Sequence, residues 1–525
     1  MKKIMLTLTA VPFILLSCNQ GWLGGPDAER QEEEGLSHEM IVLGEQLEDP
    51  YSVSYMTKAL QNIQPNGRTA LEPTDFYVRF LPKDDAQLQK LLDAGLELID
   101  HPMDYRIIRD GDWYHDPDVP EGSITWQYAV VPVDFPFPSD VRYERLDDCY
   151  IAEHDPATKG SGIDWDAVER EAFRLSGNEN LLAPLSKAGE SGSPKGRIAI
   201  VDPALDDEPE GVKGVKVFVN SFVKFAVTYT DDEGYYKIAR RFNSEPRYRL
   251  VFQNVNGFKQ GINLVLIPAS VSTLGRHPAE GFDCEIDFNS DRKLFTRCVV
   301  NNAGFDYCAE CEASGKTIPL PPKDLRIWDI PVLDCSFELM MHHGTIVDTF
   351  EPISSLLGEY TPLIKLLHPD IYLGLHETSS YSEIYARALH VFAKAGHFAQ
   401  VGKSWWSKLV EYTALSLLGS GLVSPYGAPD DDDSGYCEAA NMYAYYCQSI
   451  LFKRRYKDST TVFGTSEWFS PQILMYLDER GLGLEKIAPV FTADVVDLEG
   501  LKNKLLSYYP SFKSTINEAF ARYGR

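Results

Sequence analysis

The sequence predicts a multidomain α+β protein with a small α/β domain, a β-sandwich and a mainly helical C-terminal domain, in that order. Its 525 residues are 44% apolar, which is enough for several hydrophobic cores. Short β-forming segments separated by turns fill residues 195–266, whereas helical patterns dominate after Pro331. We therefore place the α/β domain at 49–167, the β-sandwich at 195–266 and the C-terminal domain at 267–525.

Residues 1–18 have the pattern of a bacterial lipoprotein signal peptide. Lys2-Lys3 precedes an apolar run, Ile4–Leu16, which is shorter than the about 20 residues that span a bilayer. The run ends in Leu15-Leu16-Ser17-Cys18, a small residue followed by cysteine. We expect Cys18 to become a lipidated N-terminus that anchors the chain to the cell envelope. The expected location is the outer membrane, where the protein can face the cell surface. An ordinary cleaved secretory signal is the alternative.

Residues 19–48 predict a flexible tether, because they include Gln31-Glu32-Glu33-Glu34 and have little apolar content. The formal net charge of the chain is −27. Phosphate contacts require a basic face, so we do not expect nucleic acid as a partner.

Nine cysteines occur, and in an exported protein we expect those other than Cys18 to form disulfides. A zinc site is one alternative, and buried free thiols are another. The zinc alternative uses Cys308-Ala309-Glu310-Cys311 together with Cys284 and Cys298. Cys437 and Cys447 lie on one predicted helix, separated by about 15 Å of rise, which is too far for a disulfide between them.

Individual elements of the first two domains follow from local patterns. In the α/β domain, Phe76–Phe80 and Trp126–Val133 predict strands, and Asp84–Leu92 predicts a helix. The sandwich has a turn at Asp231–Gly234. Its predicted strands are Arg197–Val201, Val215–Val219, Ala226–Thr230, Tyr235–Ile238 and Tyr248–Phe252. With that turn, these strands resemble transthyretin-like domains of the carboxypeptidase-regulatory type. The resemblance implies a spacer or interaction module without catalytic residues.

Two helices of the C-terminal domain carry the candidate site. Ser380-Tyr381-Ser382-Glu383 is a capping box, so one helix begins just before Glu383. Ile384, Ala388 and Phe392 recur at helical spacing and predict a buried stripe. Gly435–Ala440 begins the second helix, which includes Glu438.

The first of these helices has an incomplete metal-binding pattern. In H-E-x-x-H, histidines on successive turns bind zinc and the glutamate activates water. His390 matches the first histidine, but Val391 replaces the glutamate and Lys394 the second histidine. His397 lies about 10 Å further along the helix, beyond chelating reach of the same ion. We expect no bound metal, no cofactor and no catalytic residue.

The C-terminal pattern resembles zincin-like lipoproteins of Bacteroidetes, of the gluzincin type of metallopeptidase. The resemblance depends on the strand-like Asp370–Leu373, this helix, Trp405-Trp406 and the Tyr-x-Glu-Ala that includes Glu438. The resemblance implies that His390 and Glu438 match the first and third zinc ligands. Val391 and Lys394 contradict the base and the second ligand. The resemblance, with these two changes, implies a pseudoenzyme that binds peptide or protein without cleaving it. We expect Lys394 to replace the metal by pairing with Glu438 within about 4 Å.

Two other functions remain open at this point. One is an unconventional metallopeptidase site formed by His390, His397 and Glu438. The other is a glycan-binding or adhesion protein in which exposed Trp405 and Trp406 stack on sugars, the competing interpretation being that both tryptophans belong to the core. A fold without peptidase ancestry is a further alternative.

Overall fold

The computed structural model describes most of the chain after Glu39. The described residues are 40–65, 70–120, 122–184, 191–205, 208–261, 269–331, 334–345, 368–376, 378, 380–420, 424–457 and 460–524. The predicted signal peptide with Cys18, and residues 19–39 of the predicted tether, lie outside them. Within the described ranges, no helix is both long and apolar enough to cross a membrane.

The N-terminal part is a mixed α/β unit, as predicted. Its strands and helices are β1 (Val42–Gln46), α1 (Val53–Ile63), β2 (Asp75–Leu81), α2 (Asp85–Asp93), β3 (Tyr105–Arg109), β4 (Gln127–Pro132), β5 (Arg142–Cys149) and α3 (Trp165–Leu175). Strand β2 lies between β4 and β5 in an antiparallel sheet, and β1 pairs with β3. The predicted strands at Phe76–Phe80 and Trp126–Val133 and the helix at Asp84–Leu92 correspond to β2, β4 and α2.

Both predicted ends of the α/β domain need correction. Residues 40–48, assigned to the tether, contain β1, which pairs with β3. The other end, at residue 167, falls inside α3, whose Val168 and Ala172 pack with Met56 and Leu60 of α1. The apolar face of α3 therefore belongs to the core of this unit, and the unit extends at least to Leu175.

The middle part has the short strands that the sequence predicts. They are β6 (Lys195–Ile200), β7 (Glu210–Gly211), β8 (Val215–Ser221), β9 (Lys224–Tyr229), β10 (Tyr235–Lys237), β11 (Arg247–Asn254) and β12 (Lys259–Gln260). The predicted turn lies between β9 and β10, where the Asp231 carboxylate accepts hydrogen bonds from the N–H groups of Glu233 and Tyr235. Gly234 takes φ 83°, a conformation that favours glycine.

Five further strands follow, and some of them join the sheet of the middle part. They are β13 (Val271–Arg276), β14 (Cys284–Ile286), β15 (Arg326–Ile330), β16 (Phe337–Glu338) and β17 (Ile371–Gly374). One sheet has the order β10-β6-β14, with β7 beside β6. An eight-stranded sheet has the order β16-β17-β15-β12-β11-β8-β9, with β13 beside β11.

The predicted boundary between residues 266 and 267 is therefore not a boundary of the fold. Strand β12 pairs in parallel with β15, and β15 pairs in parallel with β17, so the two predicted domains share one sheet. A single hydrophobic core also extends from Val217 in β8 to Phe392 and Leu501 among the C-terminal helices. The strand pattern identifies each strand, but pairing between distant strands leaves no local signal in the sequence.

The C-terminal helices pack on this shared sheet. They are α4 (Arg292–Ala313), α5 (Tyr381–Val401), α6 (Lys403–Gly419), α7 (Ser434–Tyr456), α8 (Gln472–Asp478), α9 (Leu484–Ile487), α10 (Leu498–Tyr508) and α11 (Lys513–Tyr523). The predicted cap is confirmed, since the Ser380 side chain accepts a hydrogen bond from the N–H of Glu383. Helix α5 packs between α4 and α7. Gly304 permits the close approach of α4, because a Cβ there would lie 2.3 Å from the Phe392 ring.

Candidate functional site

Helix α5 holds the residues of the incomplete metal-binding pattern in a buried position. His390 and Lys394 lie one turn apart, with 8% and 4% of their surfaces exposed, and Val391 is fully buried. Helix α7 packs against α5 on one side, and the short edge strand β16 also contacts it. The imidazole and the ammonium group therefore face protein atoms more than solvent.

His390 is held by two residues of α7. Its Nδ1 lies 3.3 Å from Oε1 of Gln448, and its ring centroid lies 4.4 Å from that of Tyr445. Burial, and then the nearby Lys394, lower the pKa of His390 well below its usual value. At neutral pH the imidazole is therefore uncharged, and its Nδ1–H can donate to the Gln448 amide oxygen.

Lys394 forms a buried ion pair, but with a partner other than the expected one. Its Nζ lies 2.8 Å from Oε2 of Glu338 in β16, and both side chains are buried. The expectation that Glu438 supplies this carboxylate is therefore corrected. Strand β16 pairs with β17, which precedes α5, and this pairing brings Glu338 to the helix. The Nε1–H of Trp406 donates to the backbone carbonyl of Glu338 at 2.7 Å, which fixes the strand in place.

Glu438 lies near the start of α7 and is buried. The structure therefore places His390, Val391, Lys394 and Glu438 on the two packed helices that the sequence predicts. The sequence does not reveal Glu338, Gln448 and Tyr445. The acidic Glu338 stands in a two-residue strand without a recognisable pattern.

His397 does not belong to the same cluster. It is 0% exposed and lies among aromatic rings, with centroids 4.9 Å from Trp405, 5.2 Å from Tyr443 and 5.8 Å from Phe491. Neither ring nitrogen has a hydrogen-bond partner among the described residues. Burial, and then Lys394, lower its pKa to about 3. The backbone of Phe491 offsets part of this fall.

The residues around α5 also test the metallopeptidase and glycan-binding alternatives. In the described part of the chain, no group of three or more His, Cys, Asp and Glu residues is arranged to hold a metal ion. His390, His397 and Glu438 are thus not brought together as one ligand set. Trp405 and Trp406 are both buried, and the Nε1–H of Trp405 donates to the carbonyl of Val495. Stacking on a glycan from solvent would require at least one exposed indole face.

The expected disulfides are absent among the described cysteines. All of these are free, and most of them are buried: Cys149, Cys284, Cys298, Cys308, Cys311, Cys335, Cys437 and Cys447. Burial raises the pKa of Cys308, Cys437 and Cys447 to about 12. Of the three interpretations of the sequence, the structure therefore agrees with buried thiols. The compartment argument predicts oxidation but contains no information on which thiols are neighbours.

No family model, no curated protein and no solved structure matches this chain. The resemblance to zincin-like lipoproteins therefore depends on the residues quoted above.

Proposed function

We propose that this chain is a lipid-anchored envelope protein whose C-terminal region is a zincin-like pseudoenzyme that binds peptide or protein without cleaving it. One observation carries the proposal, the buried ion pair between Glu338 and Lys394, the residue that the resemblance aligns with the second zinc ligand. Anchoring at the outer membrane is supported by the pattern that ends at Cys18.

The ion pair is incompatible with zinc binding at His390. An ammonium group one helical turn away repels a divalent cation, and this repulsion is strong where water is scarce. The Lys394 ammonium group also has no lone pair for a metal, and it donates to Oε2 of Glu338 at 2.8 Å. The fully buried Val391 has no group that could accept a proton from water.

The arrangement of elements supports the proposed ancestry. The resemblance implies a strand, a helix with the histidine and a later helix with the acidic third ligand. The chain has β17, α5 with His390, and α7 with Glu438, and α5 packs on α7. An active metallopeptidase is less well supported because its ligands are dispersed. A glycan-binding surface is less well supported because both tryptophans are buried.

The metal part of the proposal is tested by elemental analysis of the purified chain. We expect no stoichiometric zinc in the natural sequence. The combination Val391→Glu, Lys394→His and Glu338→Gln should gain about one zinc per chain, lost again on His390→Ala. The matched control keeps Lys394 and changes only Val391→Glu and Glu338→Gln, and it should bind no zinc. About one zinc per natural chain, lost on His390→Ala, would contradict the proposal.

The binding part is tested by selection of random displayed peptides on the immobilised chain. We expect enriched sequences whose affinity does not change when a metal chelator is added. Failure to enrich any sequence, or chelator-sensitive binding with cleavage of the peptide, would contradict it. Anchoring is tested separately by fatty-acid labelling, which we expect in the natural chain and not after Cys18→Ala.

A further inference from the structure

A cavity of about 340 Å³ lies between the N-terminal unit and the shared sheet, separate from His390 and α5. One wall is the segment from α2 to the start of β3, and the other wall is formed by strands β8, β9, β11 and β12. Sites for small molecules typically have volumes of about 300–1,000 Å³. The cavity therefore has room for a small ligand.

Much of the cavity wall is apolar. Both sides contribute, with Leu92, Leu96 and Leu98 from the N-terminal unit and Phe218, Val251 and Val271 from the sheet. An apolar ligand body in this space would remove apolar surface from water, which favours binding.

Arg249 of β11 is the unusual polar residue of this wall. It is 5% exposed, and its guanidinium donates to Oδ1 of Asn220 at 2.9 Å and to Nε2 of His101 at 2.8 Å. Both acceptors are uncharged. His101 can accept because its Nδ1–H donates to the Asp100 carboxylate at 2.7 Å, and burial, then Arg249, lowers the pKa of His101. Two of the five N–H donors of Arg249 are used in this way.

The other cations that line the cavity are neutralised by carboxylates. Lys216 pairs with Glu97 at 3.0 Å, and Lys259 pairs with Asp324 at 3.2 Å. Arg249 forms no ion pair with a carboxylate of the described residues. Burial, and then the neighbouring Arg247, lower the pKa of Arg249 to about 9, so the guanidinium remains charged at neutral pH.

Each of the remaining carboxylates of the wall has a hydrogen-bond or ion-pair partner other than Arg249. Asp112 pairs with Arg297 and Lys293, each at 3.2 Å. Asp100 accepts from His101 and from the N–H of Tyr114, and Asp93 accepts from the Gln89 amide. A buried charge without a counter-charge in direct contact is costly. Arg249 is the lining cation that lacks one, since the Asp100 carboxylate reaches it only through His101.

We propose that this cavity binds a small monocarboxylate with an apolar body, and that Arg249 binds the carboxylate. A guanidinium offers parallel N–H donors that match the two oxygens of a carboxylate. A single negative charge suffices, because Arg249 is the one lining cation without a carboxylate among the described residues. This site is independent of the proposed peptide-binding region, so the zinc and peptide experiments do not bear on it.

The test uses calorimetric titration of the purified full-length chain with octanoate, 1-octanol and octylamine at pH 7.5. We expect octanoate to bind at least about tenfold more tightly than octanol, since hydrogen bonds to charged groups are worth that much. Octylamine, which is cationic at this pH, should not bind. Arg249→Met should abolish the preference for octanoate over octanol.

Arg247→Met is the matched control. Arg247 is a buried arginine of the same strand, but it pairs with Asp110 and does not line the cavity. The ratio of the octanoate affinity to the octanol affinity should therefore remain within about twofold of that of the natural chain. Val251→Phe, which fills the cavity from the apolar wall, should weaken both octanoate and octanol. If Arg249→Met does not fold, the titration with octylamine and the Val251→Phe variant still test the proposal. Binding of octanoate that is absent, equal to that of octylamine, or unchanged by Val251→Phe would overturn the proposal.

Discussion

Replacing His397 with phenylalanine should make the fold less sensitive to acid. The imidazole is fully buried among aromatic rings, and neither nitrogen has a hydrogen-bond partner among the described residues. A buried polar group left without a partner costs about 1–3 kcal/mol. Phenylalanine is slightly larger, and overpacking can cost a similar amount, so at neutral pH the two effects oppose each other. The informative quantity is therefore the pH dependence of the free energy of unfolding.

The magnitude follows from the pKa of His397, which is about 3 in the folded protein and ordinarily 6.5, the value for the unfolded chain. Below pH 6.5 the unfolded chain binds a proton at this residue, whereas the folded protein does not. Stability from this residue is therefore complete above pH 6.5 and falls as the pH falls. The slope is about 1.4 kcal/mol per pH unit, or about 3 kcal/mol between pH 6.5 and pH 4.5.

The assay is urea unfolding at pH 7.5, 6.0 and 4.5, followed by tryptophan fluorescence, which Trp405 and Trp406 beside His397 should report. Between pH 7.5 and pH 4.5, we expect the free energy of unfolding of His397→Phe to fall by about 3 kcal/mol less than that of the natural chain. His376→Asn is the matched control, because 44% of the His376 side chain is exposed, and it should change this loss by less than about 0.5 kcal/mol. Equal pH dependence in the natural chain and His397→Phe would refute the reasoning.

Three further predictions concern the buried ion pair, the shared sheet and the buried thiols. Lys394→Met alone should cost about 3–5 kcal/mol because it leaves the Glu338 carboxylate buried and unpaired, whereas Lys394→Met with Glu338→Gln should be close to the natural chain. Urea unfolding measures both variants, and additive losses would show that the pair is not coupled. A chain of residues 191–266 alone should show no cooperative unfolding by circular dichroism, because β12 then lacks β15, and a sharp transition would contradict this. Cys447 should react with a thiol reagent at pH 8 only after denaturant is added, because burial raises its pKa to about 12. Mass spectrometry maps the modified residue, and rapid reaction of Cys447 in the folded chain would contradict this prediction.

The sequence predicts best the features that depend on neighbouring residues. The cap at Ser380, the strands around Val215 and Tyr248 and the turn at Asp231 each have a pattern within a few residues, and the structure has all of them. His390, Lys394 and Glu438 are likewise assigned to the correct helices.

Features that depend on distant pairing are missed. The partner of Lys394 is Glu338, which reaches it only because β16 pairs with β17. The sequence between them does not indicate that pairing. The cavity at Arg249 is missed for the same reason, since its walls come from segments far apart in the chain. The disulfide expectation fails because cellular compartment says nothing about distances between sulfur atoms.

The parallel pairing of β12 with β15 has a consequence for the order in which the chain acquires structure during synthesis. When the ribosome has completed β12, its partner on one side has not yet been made, so the edge of the growing sheet has unpaired N–H and C=O groups. That edge remains open until β15 is available, and β15 remains open until β17 follows. Contacts between distant segments form slowly, and open strand edges invite pairing with other chains. A nascent chain of this protein should therefore depend on a chaperone that binds extended segments until β17 has been completed.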